Sequence, residues 1–222
     1  MFGIPDERRR VKVGGTGART EGIVYEVELT LGLPREESGG TAMNALAHCA
    51  EALYVTTRTD EGGDREALAG ASLIDRALPR VLADGRDRES RRELLEGAAH
   101  AGHALGLAGL ALAHAMAQAL GGTYGLPHGA MNALCLPPAL RFNEPAVPHA
   151  IAAFARALGR DDAAARCEEL ARLAGFERLR DFDVPRADLP EVAEATIVRG
   201  GAKANPRQAS AREALELFES IW

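Results

Sequence analysis

Six histidines are scattered through this chain of 222 residues, and three of them stand where an imidazole can do chemistry. Asn44 and His48 are four residues apart on a predicted helix, so both side chains leave one face and can reach a common point. His114 and Gln118 repeat that spacing on a second helix. His128 follows Pro127 at the start of a third, where backbone N–H groups and the positive end of the helix dipole gather. A single histidine is more often a satisfied core or surface residue than a ligand. Three imidazoles on three elements, each flanked by small or apolar residues, resemble a metal or oxyanion site set inside a helical bundle. His103 precedes His114 by about three turns of a helix with ~3.6 residues per turn, so it is expected on the same side one layer away, as a second-layer or structural residue. His100 and His149 read as peripheral. Cys49 follows His48 directly, but adjacent helical residues point about 100° apart, which disfavours a Cys–His nucleophile pair. No Gly-x-Ser-x-Gly elbow is present for a serine hydrolase.

The elements that must position these residues are mostly helices. Val11-Lys12-Val13 and Gly22 to Thr30 read as short strands broken by Gly14-Gly15 and the glycines around Gly17. From there on the pattern is helical: Gly40 through Tyr54, Arg65 to Leu82, and a long apolar helix from Glu89 to Leu120 stopped by Gly121-Gly122. A helix from Pro127 toward Phe142 follows, then Val147–Leu158, Asp161–Ala174, Pro190–Ile197 and Ala209–Ile221. The expected fold is mainly α, a helical bundle with a short N-terminal β lead-in, divided into residues 1–36 (lead-in strands) and 37–222 (all-helical domain). The Gly-Thr-Gly near the start reads as a plain turn, because neither a GxGxxG nor a GxxxxGK[ST] frame surrounds it.

Composition narrows the function classes. An apolar share of 46% with 26% charged residues is that of a packed globular chain, and its length suits one sizeable domain. A net charge of −6 argues against phosphate backbones, so nucleic acid is an unexpected partner. Three cysteines without a CxxC pair read as free thiols of a reducing compartment, and the first residues lack the apolar run of a secretory signal, so a cytoplasmic location is expected. Gly97 to Gly122 is apolar enough to cross a bilayer, but His100, His103 and His114 within it favour a buried helix, and no membrane association is expected.

Two segments carry a family resemblance. Met43-Asn44-Ala45-Leu46-Ala47-His48-Cys49-Ala50-Glu51-Ala52-Leu53-Tyr54, and His114 through Gln118, Gly122, Tyr124, Pro127, His128 and Gly129, continuing to Leu136-Pro137 and Phe142-Asn143, resemble the iron-containing alcohol dehydrogenase superfamily. The maleylacetate reductase branch fits best. The resemblance implies the C-terminal helical domain of that fold (dehydroquinate synthase-like), with most of the nucleotide-binding domain of ~150 residues missing. The Gly-Gly-Gly-Ser run that the family uses for the pyrophosphate is absent from the chain.

In the metal-dependent branch an aspartate and three histidines hold the metal, and they match Asn44, His48, His114 and His128. His48, His114 and His128 are therefore candidate ligands of iron or zinc, with Asn44 at the usual aspartate position. An amide is a poorer ligand than a carboxylate, and the resemblance to maleylacetate reductases implies work without metal. There His48, His114, His128 and Gln118 are the expected catalytic residues, donating hydrogen bonds and a proton as hydride arrives. Asn44, Tyr124 and His103 are expected to contact substrate. Gln118 departs from the family, which usually has histidine there, and so does Pro138, where histidine tends to follow Leu-Pro.

The reaction so implied is NAD(P)H-dependent reduction of maleylacetate to 3-oxoadipate, a small carboxylated substrate, not autonomous in this chain. The alternatives are a cofactor-independent enzyme using the histidine pocket as hydrolase, lyase or decarboxylase on a carboxylated substrate, or a non-catalytic remnant subunit. The exposed edge expected at Val11–Leu29 invites a homodimer or a separate nucleotide-binding subunit.

Overall fold

The computed structural model describes residues 22–59 and 62–222. Helix α1 spans Arg35–Ala52, α2 Gly62–Ala83, α3 Arg88–Ala108, α4 Leu112–Tyr124 and α5 His128–Asn143. Then come α6 Pro148–Ala157, α7 Ala163–Leu173, α8 Leu189–Ile197, the short α9 Gly200–Lys203 and α10 Ala211–Ser220. Helix α1 lies at the centre, against α2, α3 and α5, while α4 packs on α5 and α8. Met43, Leu46, Met116, Leu120, Met131 and Leu136 of α1, α4 and α5 are fully buried. The abundant alanines at these crossings let the helices approach closely without side-chain entropy cost. A buried ion pair ties α7 to α2, with Arg166 Nε donating to Asp75 Oδ1 at 2.6 Å.

The helical class agrees with expectation; three local expectations do not. The strand expected at Gly22–Thr30 does not form: this stretch is irregular apart from a 3-10 turn at Glu28–Thr30, and no described residue is in a strand. A strand needs a neighbour for its N–H and C=O groups, and among the described residues none lies beside it. The expected strand at Val11–Val13 lies outside the described residues. The N-terminal β lead-in is thus not supported among the described residues.

The long helix expected from Glu89 to Leu120 is two helices, α3 and α4, set at 100°. Gly109 takes φ +112°, a conformation that side chains rarely adopt, and it turns the chain. Both new ends are satisfied. Thr57 and Thr59 hydroxyls donate to the Ala108 and Leu107 carbonyls, and side chains from elsewhere cap the start of α4. Among the described residues no single helix is long and apolar enough to cross a membrane. Finally, Gly121-Gly122 does not stop α4, which continues to Tyr124 and ends at Gly125. The helix around Pro127 begins at His128 and runs through Pro137-Pro138 to Asn143.

Candidate active site

A close helix crossing brings the predicted residues together. A Cβ on Gly129 would lie 2.4 Å from the carbonyl carbon and oxygen of Gly40, so the first turn of α5 meets α1 backbone to backbone. Asn44 is one turn beyond Gly40, and Asn132 one turn beyond His128. Across this contact Asn132 Nδ2 donates to Asn44 Oδ1 at 2.8 Å and to His128 Nε2 at 3.0 Å. Asn44 Nδ2 donates to His48 Nε2 at 3.2 Å. The His48 and His114 rings stack with centroids 4.3 Å apart, and His114 and His128 lie 5.8 Å apart at 48°. Asn44, His48, His114 and His128 therefore do converge, from α1, α4 and α5.

Helix α4 enters this cluster with an unusual cap. Its N-cap, Ala111, has no side chain that could accept a hydrogen bond, so its first N–H groups need acceptors from elsewhere. Glu51, fully buried on α1, supplies them: Oε2 accepts from Ala111 N at 2.6 Å and Oε1 from His114 N at 3.1 Å. Asn205 Oδ1 accepts from Leu112 N at 3.3 Å, and Asn205 is held by a reciprocal amide pair with the buried Asn143. Glu51 Oε2 also accepts a hydrogen bond from His114 Nδ1, at 2.7 Å. The other ring nitrogen, His114 Nε2, is buried and has no hydrogen-bond partner.

His48 complements it. Because the Asn44 amide can only donate through Nδ2, His48 Nε2 is the accepting nitrogen and Nδ1 carries the proton. That Nδ1 is likewise buried and unpartnered, as is Asn132 Oδ1. Burial, then the nearby His114 and His128 imidazoles, push the His48 pKa down to about 2, so the ring is neutral at physiological pH. His48 is therefore a neutral N–H donor rather than an imidazolium. His128 is exposed and stands at the mouth of the cluster.

The other expected residues divide. Gln118 lies half-buried one turn beyond His114 on α4, beside the cluster. Tyr124 is turned to α8, its hydroxyl donating to Asp188 Oδ2 at 3.0 Å. His103 is not a second layer over His114. The bend at Gly109 breaks the helical register between them, and His103 stands exposed on α3 with Nδ1 3.7 Å from Glu66, which also meets His100 Nδ1 at 2.6 Å. Two partners were missed, Glu51 and Asn132. Each had a local signal: Glu51 extends the Asn44–His48 stripe by one turn, and Asn132 repeats the i, i+4 spacing from His128.

The donor set does not fit iron or zinc. Among the described residues no three His, Cys, Asp or Glu side chains are placed to hold one ion. The Asn44 oxygen is occupied by the Asn132 amide, its Nδ2 blocks His48 Nε2, and His48 meets His114 face to face rather than lone pair to common point. The residues named as a possible metal set, His48, His114 and His128 with Asn44, are thus together in the fold but engaged with one another and with Asn132.

Comparison with known proteins agrees with the helical fold. Residues 39–222 match the model of the Fe-containing alcohol dehydrogenase family, C-terminal. The chain is 35% identical over 206 residues to a 1,3-propanediol dehydrogenase of Citrobacter freundii, a match covering 87% of this chain and 53% of that protein. It is 36% identical over 225 residues to a maleylacetate reductase of Pseudomonas knackmussii, covering 100% of this chain and 62% of the relative. The crystal structure of maleylacetate reductase from Rhizobium sp. strain MTP-10005 superposes with a TM-score of 0.88 at 31% identity, over 96% of this chain and 61% of that one. The chain thus spans between half and two thirds of the length of these relatives. With most of its residues in the family match and the imidazoles assembled on that fold, the chain belongs to the Fe-containing alcohol dehydrogenase family, in its C-terminal domain.

Proposed function

We propose that this chain is the substrate-binding, proton-handling half of a reductase for a small unsaturated keto acid of the maleylacetate type. The observation that supports it most is the pair of buried, unpartnered ring nitrogens, His48 Nδ1 and His114 Nε2, set side by side by Asn44 and Glu51. The first is a neutral donor, and the second belongs to the ring whose Nδ1 Glu51 holds. An oxygen that gains negative charge as a conjugated ketone is reduced takes a hydrogen bond from His48 Nδ1–H. His114 Nε2 and the exposed His128 lie within the same cluster, on the route by which the matching proton passes between solvent and substrate. Asn44, Asn132 and Gln118 supply neutral polar contacts, and the one carboxylate of the cluster, Glu51, is turned to the start of α4 and His114 Nδ1, which suits a carboxylated ligand on the other side of the imidazoles.

A nicotinamide dinucleotide would supply the hydride. The doubled glycines of the described residues all lie within helices α1, α2, α4 and α9, so none forms a loop of N–H groups for a pyrophosphate. That role is assigned to a nucleotide-binding unit outside these residues, joined covalently or as a separate subunit. Ile23, Val24, Leu29 and Leu33 are exposed ahead of α1, an apolar surface suited to such a unit. A homodimer would serve if its surfaces met there. Cofactor-independent acid–base chemistry is the second reading, favoured by the fact that the whole imidazole cluster comes from this chain.

The test has two readouts. Titrating the chain with 3-oxoadipate should shift the His48 and His114 imidazole resonances, and His114→Ala should lose that binding while keeping its helical circular dichroism. NADH should be consumed with maleylacetate only when the nucleotide-binding half of a relative is added. Absence of any histidine perturbation at millimolar ligand would refute the site, and turnover by the chain alone would refute the division of labour.

A further inference from the structure

Away from the imidazoles, a cavity of about 180 Å³ lies where α1, α2, α3 and the turn before α1 meet. It has room for about six water-sized groups at ~30 Å³ each. Its wall is apolar, with Leu33, Ala42, Ala45, Ile74, Leu94 and Ala98, and one cation borders it: Arg91, 3% exposed. The Arg91 Nε donates to the Gly85 carbonyl at 2.9 Å, Nη1 to Ser38 Oγ at 2.8 Å and Nη2 to the Leu33 carbonyl at a long 3.4 Å. A guanidinium has five N–H groups, so two remain unspent.

Buried arginines are ordinarily paired with a carboxylate, because an uncompensated buried charge is costly. Arg91 differs from Arg166 in this: among the described residues its hydrogen bonds go to two carbonyls and a hydroxyl, and to no carboxylate. Burial alone lowers the Arg91 pKa from its ordinary value, and no neighbouring acid acts to raise it. Ser38, 2% exposed, accepts from Arg91 and lines the same cavity. Thr41 differs, since its hydroxyl is already given to the Glu37 carbonyl at 2.7 Å. The cavity thus has Arg91 and Ser38 at one end and a hydrocarbon wall at the other. Leu33 is 41% exposed and Thr41 is exposed, so the mouth opens between them.

We propose that this cavity binds a short aliphatic carboxylate, its anionic head on Arg91 and Ser38 and its chain against Leu94, Ile74 and Ala98. The apolar wall selects against inorganic anions, and the unpaired guanidinium selects against neutral molecules of the same shape. Ser38, Ala42 and Ala45 lie on α1, the helix that carries Asn44 and His48, so an occupant bears on the element that positions the imidazoles.

Sodium butyrate is the probe, with butyramide and inorganic phosphate at equal ionic strength as controls, read by calorimetry and by thermal melting of the full chain. Butyrate should bind saturably and raise the melting temperature by about 3–6 °C at ten times its Kd, while butyramide and phosphate do neither. Arg91→Met removes the head-group contact but disturbs a structural residue, so Ala98→Leu, which fills the cavity and leaves Arg91 in place, is the deciding variant. It should melt cooperatively and lose the butyrate effect. Equal stabilisation by butyramide or phosphate, no butyrate binding to the parent chain, or an undiminished butyrate effect in Ala98→Leu would each overturn the proposal.

Discussion

Replacing Glu51 with glutamine tests the cap on which the candidate site hangs. The carboxylate is fully buried and serves three donors: Ala111 N, His114 N and His114 Nδ1. Glutamine has nearly the same shape but a single acceptor oxygen. With that oxygen in the place of Oε2, Ala111 N and His114 Nδ1 keep a neutral acceptor, and the new NH2 faces the His114 N–H. One unmet buried donor costs about 1–3 kcal/mol, and losing the charge on the other two bonds costs about 1 kcal/mol each. The expected destabilisation is about 3–5 kcal/mol. For an unfolding slope of about 2 kcal/mol per M, the urea midpoint should fall by roughly 1.5–2.5 M. In parallel, nitrogen-15 spectra of the histidines should show the His114 Nδ1–H signal displaced from its position in the parent chain. A Glu51→Gln protein within about 1 kcal/mol of the parent, with the His114 signal unmoved, would refute the assignment of Glu51 as cap and positioning residue.

Three further outcomes are expected. His48 is held neutral in the fold with a pKa near 2, against 6.5 when exposed, so the unfolded chain binds its proton first as pH falls. Stability is therefore full above about pH 6.5 and declines below it at about 1.4 kcal/mol per pH unit, or about 2 kcal/mol by pH 5. Urea unfolding at pH 7.5 and 5.0 measures this decline, and His48→Asn should abolish it; an equal slope in the variant would show that another group is responsible. Gly129→Ala would drive a methyl into the Gly40 carbonyl, 2.4 Å away, at an expected cost of about 2–3 kcal/mol, and a melting temperature within 2 °C of the parent would contradict the close crossing. Asn44→Asp restores a carboxylate and removes the amide donated to His48 Nε2, so zinc or iron should co-purify in a higher molar ratio by elemental analysis. Unchanged metal content would mean that the stacked imidazoles, rather than the amide, keep metal out.

Much of the site was legible because its signals are local. The i, i+4 pairs Asn44–His48 and His114–Gln118, and His128 behind Pro127, are spacings within one helix, and hydrophobic periodicity was enough to call the surrounding chain helical. Asn132 carried the same kind of signal as those pairs. Glu51 shows where local signal ends: its place on the Asn44–His48 stripe can be read, but not that a carboxylate so far along the chain would cap α4. The His103 expectation failed for the opposite reason, since it extrapolated helical periodicity through Gly109, where the chain turns.

The sequence by itself determined the mainly helical class, the small-residue composition that lets helices cross closely, and the identity of the three imidazoles and the amide among them. Only the tertiary structure decided that α3 and α4 part at 100°, that Gly40 and Gly129 bring α1 onto α5, and that Glu51 and Asn205 close the start of α4. It also decided that the lead-in forms no strand among the described residues. The physical reason is the same in each case: helix propensity and side-chain spacing act over one or two turns. A capped break, a backbone-to-backbone crossing and a strand ladder each need partners distant in sequence, whose approach is set by how the whole core packs.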